Sequence, residues 1–300
     1  MKVLLFANTD WYLYNFRLSL ARALRDAGHE VLLVSPGGEF GPRMLSMGFR
    51  WVPAPMARRS LNPLREMLLV WWLARLVRVE GVQLVHGFTI KCAVYGSLAA
   101  RLGGAQAQVL AFTGFGYVFT SPDLRARLLR PAVRSMMRLA LLGSHSRVIL
   151  QNPDDADLLA RASPASAPKV RLIRGSGVNC DRFQPRSPDQ PEPRAFTVPL
   201  PARLLWDKGV GEYVAAARLL RGEGRTIRFL LAGQPDVGNP ASVTEPQVRE
   251  WVNEGSVEWL GHVEDMPALF ACVDVVALPS YREGLPRGLI EAAAAGLALV

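Results

Sequence analysis

Short apolar runs alternate with segments of helical periodicity along the whole chain. Runs such as 2–7 (KVLLFA) and 30–35 (EVLLVS) are apolar at nearly every position, which is typical of strands buried on both faces of a parallel sheet. Between these runs, the apolar residues of segment 15–27 recur at helical spacing, and Gly28 follows where a helix often ends. The alternation predicts an α/β protein whose helices cover both faces of parallel sheets.

Two sets of elements follow from this pattern, one in each half of the chain. In the first half it predicts strands at 2–7, 30–35, 82–86, 108–112, 147–151 and 169–173, and helices at 15–27, 64–79, 91–102, 123–142 and from 152 onward. In the second half it predicts strands at 196–204, 226–233, 256–261, 274–280 and 297–300, and helices at 209–222, 245–254, 264–271 and 286–295.

Segment 184–195 separates the two sets. It is rich in proline and charge, so it cannot continue a helix or a central strand and is predicted to be a linker or domain edge. The chain is therefore predicted to form two tandem doubly wound, Rossmann-like domains, 1–183 and 196–300. Such sheets bind ligands at the carboxyl ends of their strands, so we expect a site facing the cleft between the domains.

Charge is distributed unevenly between the halves. Residues 1–182 carry 24 Lys/Arg and 11 Asp/Glu, a net charge of +13, whereas residues 183–300 carry 11 and 15, a net charge of −4. This asymmetry indicates an anionic surface facing the first half, either nucleic acid or anionic lipid. Its densest basic segment is an amphipathic helix that either packs into its own domain or contacts a membrane. The arginines of that segment are Arg125, Arg127, Arg130, Arg134 and Arg138.

Neither a membrane span nor a metal site is predicted. The most apolar window, 67–77, has eleven residues with Arg75 inside it and is too short to cross a bilayer. The three cysteines lack metal-ligand spacing and indicate reduced thiols in a cytoplasm-like compartment. The acidic pair Asp155 and Asp157 is better explained as charge in the first turn of a helix than as metal ligands. These features predict a soluble or peripheral protein.

Candidate chemistry concentrates in segment 281–296, YREGLPRGLIEAAAAG. A predicted strand ends before it and a helix begins near Pro286, so the exposed amides there form a ready anion site. Glu283 precedes this turn and Glu291 lies inside the helix, where the two carboxylates would reach different parts of one bound molecule. The alternative is that both are ordinary charges of a helix. The candidate anion-binding residues of the turn are Gly284, Leu285, Pro286 and Arg287.

Two further segments add positive charge and glycine at strand ends. Arg203 and Lys208 follow a predicted strand of the same sheet, and an Arg–Lys pair suits a diphosphate, although both could instead form surface ion pairs. Gly175 and Gly177 end the first half and would let a ligand approach the backbone. No glycine-rich dinucleotide or P-loop motif follows the first strand. Among the histidines, His86 alone lies at a strand end.

Together these segments resemble the family 4 glycosyltransferases of the GT-B type, especially their capsular-polysaccharide and lipooligosaccharide branch. The resemblance covers nearly the whole chain, and the last segment resembles the E-x7-E motif of the family, with Glu283 and Glu291 at the two acidic positions. The segments that carry the resemblance are NTDWYLYNFRLSLARALRDAGHEV, FGYVFTS, QNPDDADL, GSGVNCDRF, ARLLWDKG and YREGLPRGLIEAAAAG.

The resemblance implies roles for the donor-side residues. Glu283 would contact the donor sugar hydroxyls and Glu291 the nucleotide ribose. Arg203 and Lys208 would hold the diphosphate and stabilise the departing nucleotide, and the glycines and the turn at 284–287 would complete the donor site. Members of the family retain the anomeric configuration, need no metal for the diphosphate, and most commonly use UDP; no cofactor is implied.

On the acceptor side, the resemblance implies five residues of the first domain. Thr113 stands where many members carry a histidine. In the second domain, the chain ends at LALV, within an expected strand, so that domain is expected to be truncated. The acceptor-side candidates are Trp11, Arg17, His86, Thr113 and Gly114.

The implied function is transfer of a sugar from a nucleotide sugar to a lipid-linked saccharide in surface-polysaccharide synthesis. The expected location is the inner face of the cytoplasmic membrane, with anionic lipid rather than nucleic acid as the partner. A sugar-nucleotide epimerase of the same fold and a non-catalytic membrane-binding fragment are the alternatives. Product analysis with nucleotide sugars and lipid-linked acceptors separates them.

Overall fold

The computed structural model describes residues 1–57, 60, 62–112, 124–142, 145–185, 195–281, 283 and 285–300. These residues form two compact units, Met1–Ser176 and Gly177–Val300. Most of the segment predicted as a linker lies outside the described residues, as do Thr113, Gly114 and Gly284.

The first unit is built on a parallel sheet of seven strands, in the order β3-β2-β1-β4-β5-β6-β7. Chain order reverses direction between β1 and β4, so the carboxyl ends of these two strands flank the crevice where doubly wound sheets bind ligands. The strands are β1 (Lys2–Phe6), β2 (Glu30–Ser35), β3 (Arg50–Pro53), β4 (Leu84–Phe88), β5 (Ala107–Phe112), β6 (Ser146–Leu150) and β7 (Val170–Leu172).

Helices connect these strands, several with N-caps that the sequence supplies. Asn62 and Asn152 each precede a proline at the first helical position, and each side chain accepts a hydrogen bond from a backbone amide of the first turn. Leu13–Arg17 is a π-helical turn and Pro164–Lys169 a 3-10 turn. The α-helices are α1 (Asp10–Tyr12), α2 (Leu18–Asp26), α3 (Phe40–Ser46), α4 (Pro63–Val79), α5 (Thr89–Gly103), α6 (Leu124–Ala140) and α7 (Pro153–Ala162).

Alternate residues of β1 and β2 supply the cores on the two faces of this sheet. Leu4 and Leu32 belong to the cluster beneath α4 and α5, whereas Leu5 and Leu33 belong to the cluster beneath α2. All four are essentially fully buried. Each such side chain stabilises the fold by about 1.5–3 kcal/mol relative to an exposed one, which explains why these strands are apolar at nearly every position.

The second unit repeats this layout with five short strands. Three form a parallel sheet in the order β10-β9-β8, and β11 pairs with β12. The amide of Ala277 donates to the carbonyl of Pro199 (3.1 Å), and that of Asp274 to Thr197 (3.0 Å), so β11 runs alongside β8. Pro199 has no N–H to donate, which interrupts the ladder between them. The strands are β8 (Phe196–Leu200), β9 (Ile227–Leu231), β10 (Glu258–Trp259), β11 (Val275–Val276) and β12 (Ala298–Leu299).

Because β9 lies on one side of β8 and β11 on the other, a crevice opens between the carboxyl ends of β8 and β11. The donor-side candidates of the sequence follow these two strands. A 3-10 turn, Trp206–Lys208, follows β8. The helices of this unit are α8 (Val210–Gly222), α9 (Glu245–Asn253), α10 (Met266–Phe270) and α11 (Arg287–Ala294).

The first unit ends at Ser176, before the boundary at residue 183 predicted from the sequence. Phe183 is buried in a cluster of the second unit, and its ring centroid lies 6.1 Å from that of Phe270. An isolated Phe after a glycine-containing segment gives no sequence signal for the domain into which it packs. Residues 177–183 therefore belong structurally with the second unit.

Tyr213 offers a test of this core. Its buried hydroxyl hydrogen-bonds the carbonyl of Val198 and lies 3.2 Å from that of Leu230, and burial raises the pKa of Tyr213. Replacing Tyr213 by phenylalanine removes this buried hydrogen bonding, so we expect the free energy of unfolding to fall by about 0.5–1.5 kcal/mol in denaturant titrations. Tyr281→Phe, at an exposed hydroxyl, should change it by less than about 0.5 kcal/mol. Equal effects would contradict this role for the buried hydroxyl.

Candidate active site

The loop after β8 lies directly against the loop after β11. Gly209 has φ +73°, and a Cβ added there would lie 2.0 Å from the carbonyl oxygen of Pro279. The carbonyl of Asp207 accepts hydrogen bonds from the amide of Tyr281 (3.1 Å) and the hydroxyl of Ser280 (3.0 Å). These contacts fix the 3-10 turn that carries Lys208 beside the segment that carries Glu283.

Lys208 and Glu283 form an ion pair across the two loops. Their side chains are about one-fifth exposed, at 20% and 23%, so both groups are partly desolvated and still open to a ligand. Glu212, four residues after Lys208, accepts a hydrogen bond from the hydroxyl of Tyr281 at 2.5 Å. The structure thus brings together two of the predicted donor-side residues.

Arg203 has a different partner, which the sequence did not indicate. Its Nη1 donates to Oδ2 of Asp236 at 2.7 Å, and the amide of Asp236 donates to the hydroxyl of Ser242 at 2.9 Å. The Arg203 side chain is more than half exposed, so its other guanidinium donors face solvent. Asp236 lies in the loop after β9 and belongs to no motif, which is why sequence reasoning missed it.

Helix α11 begins at Arg287, directly after Pro286, as the sequence predicted for this turn. Arg287 Nε donates to Oε1 of Glu291 at 2.5 Å, one helical turn away, and Glu291 is only 7% exposed. A Cβ on Gly288 would lie 3.0 Å from the carbonyl oxygen of Pro201, so the first turn packs closely on the loop after β8. Leu285 and Pro286 lie in the same turn, next to Glu283 in sequence, whereas Gly284 is outside the described residues.

Gly175 and Gly177 both have positive φ, +65° and +73°. No atom lies within 4 Å of a Cβ added to Gly177, so its left-handed conformation alone favours glycine there. Gly175 belongs to the first unit and Gly177 to the second.

A second group of candidates lies at the carboxyl ends of β1 and β4 in the first unit. Arg17, carried on the π-helical turn, donates to the hydroxyl of Tyr12 from Nη2 (2.7 Å) and Nε (3.2 Å). Its guanidinium lies 4.4 Å from the ring centroid of Phe88, and the His86 ring lies 4.2 Å from the same ring. Trp11 is partly exposed nearby and packs edge-on against Phe16. Trp11, Arg17 and His86 are therefore joined through these aromatic contacts, but His86 is the middle residue of β4 rather than its last residue as predicted, because β4 runs on to Phe88. Thr113 and Gly114 lie outside the described residues.

Thr89 joins this group and was not indicated by the sequence. It is the one non-glycine residue with positive φ (+67°) in the part of the chain that the structure describes. Next to it, the Nε2 of His86 is buried without a hydrogen-bond partner. Strained backbone and unsatisfied buried polar atoms concentrate at ligand sites, because a ligand can supply the missing partner. No sequence pattern signals a left-handed threonine.

Burial, with a smaller contribution from Arg17, lowers the pKa of His86 to about 3. In the unfolded chain the imidazole takes up a proton near pH 6.5, which the folded protein resists. We therefore expect the contribution of His86 to lower the free energy of unfolding as the pH falls from about 6.5 towards 3, by up to about 1.4 kcal/mol per pH unit, and to be constant above this window. His86→Gln should flatten this slope in denaturant titrations at each pH. A slope unchanged in the His86 variant would contradict a buried neutral imidazole.

Comparison with known proteins decides the family. The model of the "Glycosyl transferase 4-like domain" matches residues 15–175, more than half of the chain. The model of "Glycosyl transferases group 1" matches residues 196–300.

The chain is a family 4 glycosyltransferase of the GT-B type.

Two curated bacterial enzymes are similar to this glycosyltransferase over most of its length. The N,N'-diacetylbacillosaminyl-diphospho-undecaprenol alpha-1,3-N-acetylgalactosaminyltransferase of Campylobacter jejuni is 27% identical over 298 residues, which are 96% of this chain and 77% of that enzyme. The UDP-Gal:alpha-D-GlcNAc-diphosphoundecaprenol alpha-1,3-galactosyltransferase of Escherichia coli is 24% identical over 257 residues, 81% of this chain and 63% of that enzyme.

The fold of this glycosyltransferase is also similar to solved structures. Anabaena HepE in complex with UDP-glucose superimposes with a TM-score of 0.74 at 19% sequence identity, covering 100% of this chain and 79% of that one. The α/β, GT-B fold expected from the sequence is therefore confirmed.

The described part of this glycosyltransferase contains neither a membrane-spanning helix nor a group of metal-ligating side chains. No helix there is both long and apolar enough to cross a membrane. No group of three His, Cys, Asp or Glu side chains among the described residues is arranged to hold a metal ion.

Proposed function

We propose that this glycosyltransferase moves a sugar from a UDP-linked donor to the saccharide of a lipid-diphosphate-linked acceptor in surface-polysaccharide synthesis. The observation that carries the proposal is the Lys208–Glu283 ion pair at the carboxyl ends of β8 and β11, where a doubly wound sheet binds nucleotides. Both curated relatives have undecaprenol diphosphate acceptors in their names, and one name gives UDP-Gal as donor. These names support the donor and acceptor classes.

In the proposed reaction, fixed positive charge stabilises the departing UDP. The ammonium of Lys208 and the exposed guanidinium edge of Arg203 lie at the strand ends where the negative charge of the diphosphate would develop. Because these positive charges are already in position, the protein need not rearrange to stabilise the leaving group. Glu283 is the candidate for the donor sugar hydroxyls, and its ion pair with Lys208 would couple sugar and diphosphate binding.

We further propose that transfer retains the anomeric configuration and requires neither metal nor cofactor. Both relatives are named as alpha-1,3 transferases, and an α linkage is what retention at an α-configured donor produces. Two side-chain cations at the strand ends would take over the role that a metal ion has when it neutralises a diphosphate. We place the enzyme at the inner face of the cytoplasmic membrane, supported by the net charge of +13 in residues 1–182.

Product analysis tests this function directly. The protein is incubated with UDP-sugars and a polyprenyl-diphosphate-linked saccharide, with and without EDTA, and products are identified by mass spectrometry and NMR. We expect a glycosylated lipid with a new α linkage, formed at the same rate in EDTA. An isomerised UDP-sugar without glycosylated lipid would instead identify an epimerase, and loss of transfer in EDTA would refute the metal-independent reaction.

The two glutamates should affect different kinetic parameters. Glu283→Gln weakens the proposed contact to the donor sugar and breaks the ion pair with Lys208, so we expect kcat to fall by about ten-fold or more. Glu291 is buried against Arg287 within α11, and Glu291→Gln should mainly raise the Kd for UDP, by about ten-fold. Steady-state kinetics and UDP titration separate the two effects. If both variants lose only thermal stability, with normal kinetics per folded molecule, the glutamates are structural.

A further inference from the structure

Helix α4 exposes a row of large apolar side chains on the surface of the first unit. Its inner face packs into the core beneath the sheet. No described residue covers its outer face between residues 64 and 71, and four large apolar side chains there are more than three-fifths exposed. These are Leu64 (69%), Met67 (68%), Leu68 (65%) and Trp71 (61%).

The four side chains lie on one stripe of the helix. Positions 64, 68 and 71, followed by Arg75, recur every three or four residues, and 67 lies beside them. A helix that is apolar around most of its circumference is normally buried in a core or in a membrane. Contiguous exposed apolar surface of this kind marks an interaction site.

The charges around this stripe are positive. Arg65, Arg75 and Arg78 are exposed, and the Arg75 guanidinium lies 6.0 Å from the Trp71 ring. The two carboxylates of segment 62–80 are both engaged in ion pairs with residues outside the helix. These pairs are Glu66 with Lys91 (2.9 Å) and Glu80 with Arg50 (2.8 Å).

We propose that this α4 face, defined by Leu64, Met67, Leu68 and Trp71, docks on an anionic bilayer surface. Leu, Met and Trp side chains would enter the boundary between headgroups and acyl chains, while the neighbouring arginines meet lipid phosphates. A second copy of the chain fits less well, because an isologous contact would bring the same positive charges together. The inference rests on the proposed function, since a lipid-linked acceptor brings the enzyme to a membrane.

The basic helix singled out in the sequence is a weaker candidate for this surface. On α6, Met137 and Ala140 are buried in the core of the first unit, as expected for a helix whose apolar side packs into its own domain. Met136 also packs against this core, and among the described large apolar side chains of α6 only Leu139 is exposed, at 51%. On α4 the apolar residues themselves are exposed. The sequence window 67–77, too short to span a bilayer, has the composition of a helix that lies in its interface.

Vesicle binding tests the docking surface without requiring activity. The full chain is co-sedimented with vesicles of phosphatidylcholine alone and of phosphatidylcholine with phosphatidylglycerol in equal parts, at low and high salt. We expect binding to the anionic vesicles that weakens with salt. The double substitution Leu68→Ser/Trp71→Ser should weaken it about ten-fold, and neutralising Arg75 or Arg78 to Gln should weaken it about five-fold each. The controls are Leu219→Ser, on α8 with the same 65% exposure as Leu68, and the exposed Arg225→Gln, both of which should bind normally.

Several results would overturn the proposal. Unchanged binding by the α4 variants would place any membrane contact elsewhere. Equal binding to neutral vesicles would remove the role of the arginines. A dimer in analytical ultracentrifugation that the double substitution dissociates, without vesicle binding, would assign the face to a second copy.

A transfer assay separates this inference from the proposed function. The α4 variants should lose transfer to an acceptor embedded in anionic vesicles and keep it toward a short-chain, water-soluble acceptor analogue. If the unaltered chain transfers sugar to neither acceptor yet binds vesicles through α4, the proposed function fails and the docking surface stands. If the α4 variants transfer sugar fully to the embedded acceptor, the proposed function stands and the docking surface is refuted.

Discussion

Replacing Lys208 by alanine is expected to lower kcat/KM for the nucleotide-sugar donor by about 10- to 150-fold. A charge-assisted hydrogen bond to a diphosphate contributes about 1.5–3 kcal/mol, and each 1.4 kcal/mol corresponds to a factor of about ten. Lys208 suits this role because the turn that carries it is fixed by Asp207 and Gly209 against the loop after β11. Initial rates at varied donor concentration, with the acceptor saturating, measure the effect.

A matched lysine supplies the control. Lys2 is also ion-paired, 2.9 Å from Glu30, and its side chain is 18% exposed, close to the 20% of Lys208. It lies at the start of β1, at the edge of the sheet opposite the carboxyl ends. Lys2→Ala should therefore leave kcat/KM within about two-fold. Comparable losses in the two variants would show that kcat/KM is responding to protein stability rather than to diphosphate binding.

A double substitution distinguishes diphosphate binding from support of Glu283. If Lys208 serves only to neutralise Glu283, adding Lys208→Ala to Glu283→Gln should cost no further activity. If Lys208 meets the diphosphate, the double variant should be at least about ten-fold more impaired than Glu283→Gln alone. Double-mutant cycles of this kind isolate the interaction between the two residues.

The sequence predicts most strands and helices well because each is formed by a local pattern that repeats along the chain. Each apolar run that became a strand in the first sheet is short and nearly uniform, and the caps at Asn62 and Asn152 fix where helices begin. The sequence missed β3 because Arg50–Pro53 is only four residues long and begins with an exposed arginine. It also overextended the strand predicted at 256–261, of which Glu258–Trp259 pairs.

The helix predicted from residue 15 begins earlier, at Asp10, and for a local reason. The hydroxyl of Thr9 accepts from the amide of Tyr12, and the side chain of Asp10 accepts from the amides of Phe40 and Gly41. The second interaction spans thirty positions of sequence and cannot be derived from periodicity. The π-helical turn that carries Arg17 comes directly after this first turn.

In the candidate site too, some contacts could be predicted from local sequence patterns and others could not. Lys208 and Glu283 lie 75 positions apart, yet both follow strands, and the rule for strand ends in parallel sheets was enough to place them together. The pair Arg287–Glu291 has i,i+4 spacing and was open to prediction from sequence. Asp236 and Thr89 were not, because an ion pair between loops and a left-handed backbone are properties of the folded chain alone.

The second large effect is expected from Gly209→Ala, which should destabilise the second unit and disrupt the donor site together. Gly209 has φ +73°, a conformation that costs a residue with a Cβ about 1–3 kcal/mol. The added methyl group would also lie 2.0 Å from the carbonyl oxygen of Pro279, so one of the two loops must move. Because backbone rather than a flexible side chain is in the way, we expect a total loss of at least about 2–4 kcal/mol in denaturant titrations.

Gly224 supplies the matched comparison, because it has the backbone conformation of Gly209 without a close contact. It has the same φ of +73°, and no atom lies within 4 Å of an added Cβ. Gly224→Ala should therefore lose only the conformational part, about 1–3 kcal/mol, and keep full kcat/KM per folded molecule. Gly209→Ala should lose more stability and, in addition, donor turnover, because the movement that relieves the clash displaces Lys208 from Glu283. Equal losses of stability in the two variants, with normal turnover in both, would mean that the contact with Pro279 does not hold the two loops together and that the ion pair is positioned by other means.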